Sequence, residues 1–278
     1  MVDLLAICKD CKIDFSKTVV ICNDPGGTAN YLHIRPKEFT RYAKEDFLCR
    51  DNRALINAIS NAKRAIDCQI DTAFNHFGIS FDTIPSAAHD YCNHFNFSNK
   101  DLPLKLRLIQ SMSFTPSGLL SNIRNLRNKL EHYYEIPSER EVQDAIELAE
   151  LFVLSMEHKI SYIERGLIIS SSDFHQLTGN EKDISLRSID YYTGKTYSNR
   201  VHISFDEAKK IFTIKAYKNN RKHKEVSFDS SNKLHYCFIN LINNLSDDID
   251  TLNGIKTLLK IINHPIPESS IRVNSYLS

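Results

Sequence analysis

At Gly166 the apolar rhythm of this chain changes. Upstream, hydrophobic residues recur every three or four positions, the spacing of one helix face. Downstream they recur at every second position, the spacing of a strand with one buried face. A chain written in both periods has to pack helices in one part and build a sheet in another. Its 278 residues suit two domains and a substantial core. The expected organisation is an α+β chain: an N-terminal segment over 1–34, an all-α bundle over 35–165, and a smaller antiparallel α+β domain over 166–278.

The helical part has readable boundaries. Pro36 is placed to open a short helix as its first residue. Leu55, Ile59, Ala62, Ile66, Ile70, Ala73 and Phe77 predict one long helix from Asp51, whose carboxylate caps its start. A loop containing Pro85 follows, then an aromatic-rich stretch, His89, Tyr91, His94, Phe95 and Phe97, suited to core or loop packing or to lining a pocket. Thr115-Pro116 begins a helix with the stripe Leu119, Ile123, Leu126, Leu130 and Tyr133. Ser138 and Glu141 form a capping box for the next, which Gly166 is placed to end. Strands are expected at 167–171, 187–193, 200–205, 211–217 and 225–229, with Asn219-Asn220 as a tight turn. Helical spacing returns over 232–263. In the N-terminal segment, Thr18-Val19-Val20-Ile21 is β-like, and Asn23-Asp24-Pro25-Gly26-Gly27-Thr28 reads as a turn.

Composition excludes some functions. A formal charge of +1 argues against binding nucleic acid by bulk charge, though not against a local basic site. No apolar run is long enough to span a bilayer, and the first residues lack a basic start and a cleavage pattern, so no membrane association is expected. Seven scattered cysteines fit reduced thiols in a cytoplasm. Cys8-x-x-Cys11 fits either half a zinc site or two unpaired thiols.

The chemistry-bearing segment is Arg124-Asn125-Leu126-Arg127-Asn128-Lys129-Leu130-Glu131-His132-Tyr133-Tyr134. On a helix, Arg124, Asn128, Glu131, His132 and Glu135 share a polar face opposite the leucines, with Arg127 at its border. Arg127 and His132 stand ~140° apart around that helix, so one copy does not aim both at a single atom. Two copies about a two-fold axis line one groove with two such pairs, and a homodimer is therefore expected. A neutral His can take a proton from a 2′-OH, and an Arg can stabilise charge on a phosphorane-like transition state. Asn128 can orient the phosphate or the imidazole. A solvated polar face with a surface His is the competing explanation.

The Arg127-Asn128-x-x-x-His132 spacing resembles the signature of HEPN domains, a helical family that includes many metal-independent endoribonucleases of toxin–antitoxin and antiviral systems. The resemblance covers roughly 35–165. It implies that Arg127 and His132 are the catalytic pair, with Asn128 beside them, and that neither metal nor cofactor is needed. It further implies an RNA substrate, a role in defence or growth control, and an antitoxin or nucleotidyltransferase partner able to modify Tyr134. A non-catalytic binding or scaffold role is the alternative it leaves open. Arg124 is an expected RNA contact. So are Lys218, Arg221, Lys222 and Lys224, which crowd the Asn219-Asn220 hairpin between Phe212 and Tyr217, although solvated hairpin ends are often charged as well.

Overall fold

The strand-period residues after Gly166 and the Thr18–Cys22 run meet in one sheet. The computed structural model describes residues 2–22, 31–97, 102–115, 136–161, 165–171, 175–176, 189–190, 195–245 and 248–276, with Asn122 and Asn125. The chain divides into two units. A sheet unit holds 1–27, 85–94 and 163–278, and a helical unit holds 28–84 and 95–162.

The sheet unit contains helices α1 (Leu4–Asp10) and, further along the chain, α4 (Ser86–Cys92), α7 (Lys233–Asn243) and α8 (Asp248–Ile261). Its strands are β1 (Thr18–Cys22), β2 (Gly166–Ser171), β3 (His175–Gln176), β4 (Ile189–Asp190), β5 (Lys195–Thr196), β6 (Arg200–Asp206), β7 (Ile211–Lys218), β8 (Arg221–Phe228) and β9 (Val273–Tyr276). The large sheet runs β8-β7-β6-β2-β1-β9, and β3-β5-β4 form a small second one. β1 lies between β2, antiparallel, and β9, parallel. An interior strand covered on both faces has no polar side, which accounts for the unbroken run Thr18, Val19 and Val20, each at most 1% exposed. β2 is buried along its whole length for the same reason. β6 and β7 alternate instead, because one of their faces is open.

The covered face packs on α7, buried from Leu234 through Ile242. Phe212 of β7 meets Phe205, Phe228, Phe238 and the His235 ring at centroid distances of 4.9–6.4 Å. The Tyr91 ring of α4 stacks on Tyr236 at 5.7 Å. Helix α8 approaches α7 closely at Gly254, where an added Cβ meets Leu241 Cδ1 at 2.8 Å and Leu241 Cα at 3.3 Å. Gly254→Ala is therefore expected to destabilise the protein by about 1–3 kcal/mol through overpacking. Equilibrium denaturation measures this, and an unchanged midpoint would show that the crossing has room to give.

In the helical unit, α2 (Pro36–Cys49), α3 (Asn52–His76), α5 (Leu104–Ser111) and α6 (Glu139–Ser161) are described. The α3 stripe of Leu55, Ile59, Ala62, Ile66, Ile70 and Ala73 is buried as its period requires, and α3 packs on both α2 and α6. Asp51 caps it by accepting from the Ala54 amide. The Ser138–Glu141 box is reciprocal, with the Ser138 amide donating to Glu141 and the Glu141 amide donating to the Ser138 hydroxyl. Lys37–Glu157, Lys44–Glu150 and Arg50–Glu139 bridge α2 to α6 in antiparallel order.

The expected architecture, an HEPN-like all-α bundle followed by a smaller antiparallel α+β domain, is overturned. The fold is mixed α/β, and the sheet unit is the larger one and draws on three separate stretches of chain. Its sheet is mixed rather than antiparallel, because β9 joins β1 in parallel. The segment read as preceding the domains supplies an interior strand. The aromatic-rich stretch that follows the Pro85 loop begins with α4, whose Ala87, Ala88 and Tyr91 are buried. Gly166 does not end a helix. Helix α6 is described as far as Ser161, and Gly166 opens β2.

Candidate nucleic-acid interface

The β7–β8 hairpin turns on Asn219 and Asn220, both left-handed at φ 51° and 63°. Two adjacent left-handed residues make the turn whose twist matches paired strands, and Asn tolerates that conformation better than most residues. The tip is then tied down. The Asn220 amide donates to the Ser198 carbonyl at 2.8 Å, and the Asn219 amide to Asn199 Oδ1 at 2.9 Å. Arg200 Nη1 donates to the Tyr197 carbonyl at 2.8 Å and to Asn220 Oδ1 at 2.9 Å. Helix α1 supports the tip from the N-terminal segment. Asp10 lies 3.6 Å from His223, and the Tyr217 amide reaches the Cys11 sulfur.

A bulge between Ala216 and Tyr217 leaves His223 unpaired, so Tyr217 faces Lys222 while Ala216 faces Lys224. Strand alternation then splits the basic cluster. Tyr217 and Lys222 share the open face with Lys215, Glu225 and, across on β6, Arg200 and His202. Lys218, Arg221 and Lys224 alternate toward the other face with buried Ala216. Phe212, read as a flanking aromatic, is wholly buried and packs in the core.

The open face has an unusual centre. The Arg200 guanidinium lies 4.1 Å from the centroid of the half-buried Tyr217 ring. Arg200 is only 5% exposed, and burial lowers its pKa from the ordinary value. Its hydrogen-bond acceptors are two neutral oxygens, and among the described residues no carboxylate lies within ion-pair distance. A buried cation without an anion is costly to hold, and it projects positive potential onto the surface above it. Around it, Lys215 and Lys222 flank Glu225 at 3.9 and 2.8 Å. Lys222 holds the Glu225 carboxyl below its usual range, so it stays ionised and offsets one of the two lysines.

A groove of about 1100 Å³ on the other side of β8 has a different character. It is lined by Asp3, Asp90 and Asp229 as well as Lys224 and Lys233, so it does not concentrate positive charge.

Arg124, Arg127, Asn128, His132 and Tyr134 lie outside the described residues, as does the turn at 23–28. Between 116 and 135 only Asn122 and Asn125 are described, and both are helical and exposed. Cys8 and Cys11 are buried, and desolvation pushes the Cys8 thiol up to about 12, which keeps it protonated. Among the described residues no three His, Cys, Asp or Glu side chains gather as a metal cluster, and no helix is long and apolar enough to cross a membrane.

No family model, curated protein or solved structure matches this chain.

In the sequence Arg200 reads only as the start of a strand. Its place beside Tyr217 depends on a register that pairs residue 200 with residue 217.

Proposed function

We propose that this protein is a metal-independent endoribonuclease, with Arg127 and His132 as its catalytic pair and Asn128 orienting the phosphate or the imidazole. The observation that carries the reading is the Arg127-Asn128-x-x-x-His132 spacing. The basic end of the β7–β8 hairpin supports it with a surface suited to an RNA backbone. In the reaction, His132 accepts the proton of a 2′-OH as that oxygen bonds to the adjacent phosphorus. The P–O5′ bond breaks, the 5′ oxygen takes up a proton, and Arg127 stabilises the charge on the phosphoryl oxygens. The products are a 2′,3′-cyclic phosphate and a 5′-OH.

The active species is a two-fold homodimer, since the two groups diverge around one helix. A role in antiviral defence or growth control follows from the resemblance of the motif, as does a nucleotidyltransferase partner acting on Tyr134. Cleavage is expected to continue in excess EDTA, to leave cyclic phosphate ends, and to spare DNA of the same sequence, which has no 2′-OH. Strict dependence on Mg²⁺, or DNA cut at a comparable rate, would overturn this chemistry. The open sheet face favours a second reading, RNA binding without cleavage, because that face requires no catalytic pair. Intact RNA that is nonetheless retained by the purified protein would decide for it.

A further inference from the structure

We infer that the open face of β6, β7 and β8 is a platform for single-stranded RNA, with a base stacking on Tyr217 and the flanking phosphates held by Lys215 and Lys222. The inference rests on the RNA reading above and names the form of RNA. Three observations carry it. Tyr217 is a half-buried aromatic on an open sheet face, with Arg200 close against its ring at 4.1 Å. A ring held in this way loses little freedom when a base stacks on it. Second, Arg200 is 5% exposed and among the described residues hydrogen-bonds only the neutral Tyr197 carbonyl and Asn220 Oδ1, so it adds positive charge beside the ring. Third, the surface lysines stand in register with this centre: Lys222 opposite Tyr217, and Lys215 two residues before it on the same face.

A paired strand buries its bases in the stack and offers a phosphate surface, which does not engage the face of an aromatic ring. An unpaired strand can turn a base onto Tyr217 while its backbone runs between the lysines. On this face Arg200, Lys215 and Lys222 stand against the single carboxylate of Glu225, which leaves the hairpin end net basic among the described residues.

The test uses the full chain carrying His132→Ala, so that binding is read without cleavage. Fluorescence anisotropy with a labelled 12-nucleotide uridine oligomer, and with a duplex of equal length, gives both affinities. Tyr217→Ala is expected to weaken single-strand binding about tenfold, Tyr217→Phe to hold it within about twofold, and the duplex to bind more weakly than the single strand. If Tyr217→Ala does not fold, photocrosslinking of a 5-iodouridine oligomer to the chain with Tyr217 intact should place the adduct on Tyr217. Equal binding by folded Tyr217→Ala, equal affinity for duplex, or an adduct mapped elsewhere overturns the platform. Cleavage by the chain with His132 intact is scored separately. Loss of the platform with cleavage intact therefore condemns this inference alone, and stacking without cleavage condemns only the nuclease reading.

Discussion

His132→Ala and Arg127→Ala should each lower the rate of RNA cleavage by roughly 10²–10⁴-fold, the usual contribution of a positioned proton acceptor or a charge-stabilising donor. The two losses arise differently. Without His132 the 2′-OH must lose its proton to water, so the residual activity should rise with hydroxide. Without Arg127 the imidazole still acts, but charge on the phosphoryl oxygens meets no fixed cation. His132 belongs to the polar face opposite Leu119, Ile123, Leu126 and Leu130, and Arg127 lies at its border. Their replacement should therefore leave the unfolding midpoint close to that of the unsubstituted chain. Initial rates on labelled RNA, with circular dichroism as the folding control, make the measurement. Near-full activity in either folded variant would remove the proposed site.

Val20→Asp should abolish cooperative folding of the sheet unit. Val20 is fully buried in β1, which is hydrogen-bonded on both sides, to β2 and to β9. A carboxylate there has no charge partner in the apolar sheet and no route to water. The cost is on the order of several kcal/mol, comparable with the ~5–15 kcal/mol that holds a typical domain folded. Hydrogen exchange should show β2 and β6 losing protection together. The exposed Lys12 serves as the control, since Lys12→Asp should leave that protection intact. If Val20→Asp retained stability within about 1 kcal/mol of the unsubstituted chain, β1 would be an appendage, as its position ahead of the helical stretch suggested.

Local signals read well from this sequence and non-local ones did not. The α3 stripe, Pro36 at a helix start, the Ser138–Glu141 box and the Asn219-Asn220 turn each depend on residues within a few positions of one another. The destination of Thr18–Cys22 depends on pairing with residues 167–171 and 273–276, and no local pattern encodes those partners. The same holds for Arg200, whose role appears only once β6 is laid against β7. The division of Lys222 from Lys218, Arg221 and Lys224 turns on a bulge, a one-residue shift that composition does not reveal. The candidate catalytic pair rests on a short motif alone, in residues that lie outside the described ones.

Because β1 pairs residue 18 with both residue 171 and residue 273, this interior strand is synthesised long before either of its neighbours. At translation rates of about 5–20 residues per second, β1 waits many seconds on the ribosome without either neighbour. Closing so large a loop makes long-range pairing slow even after release. An emerging chain thus carries an apolar strand with two open edges, which invites chaperone capture or aggregation until β2 and β9 arrive. The proposed RNA platform on β6–β8 joins that strand through β2.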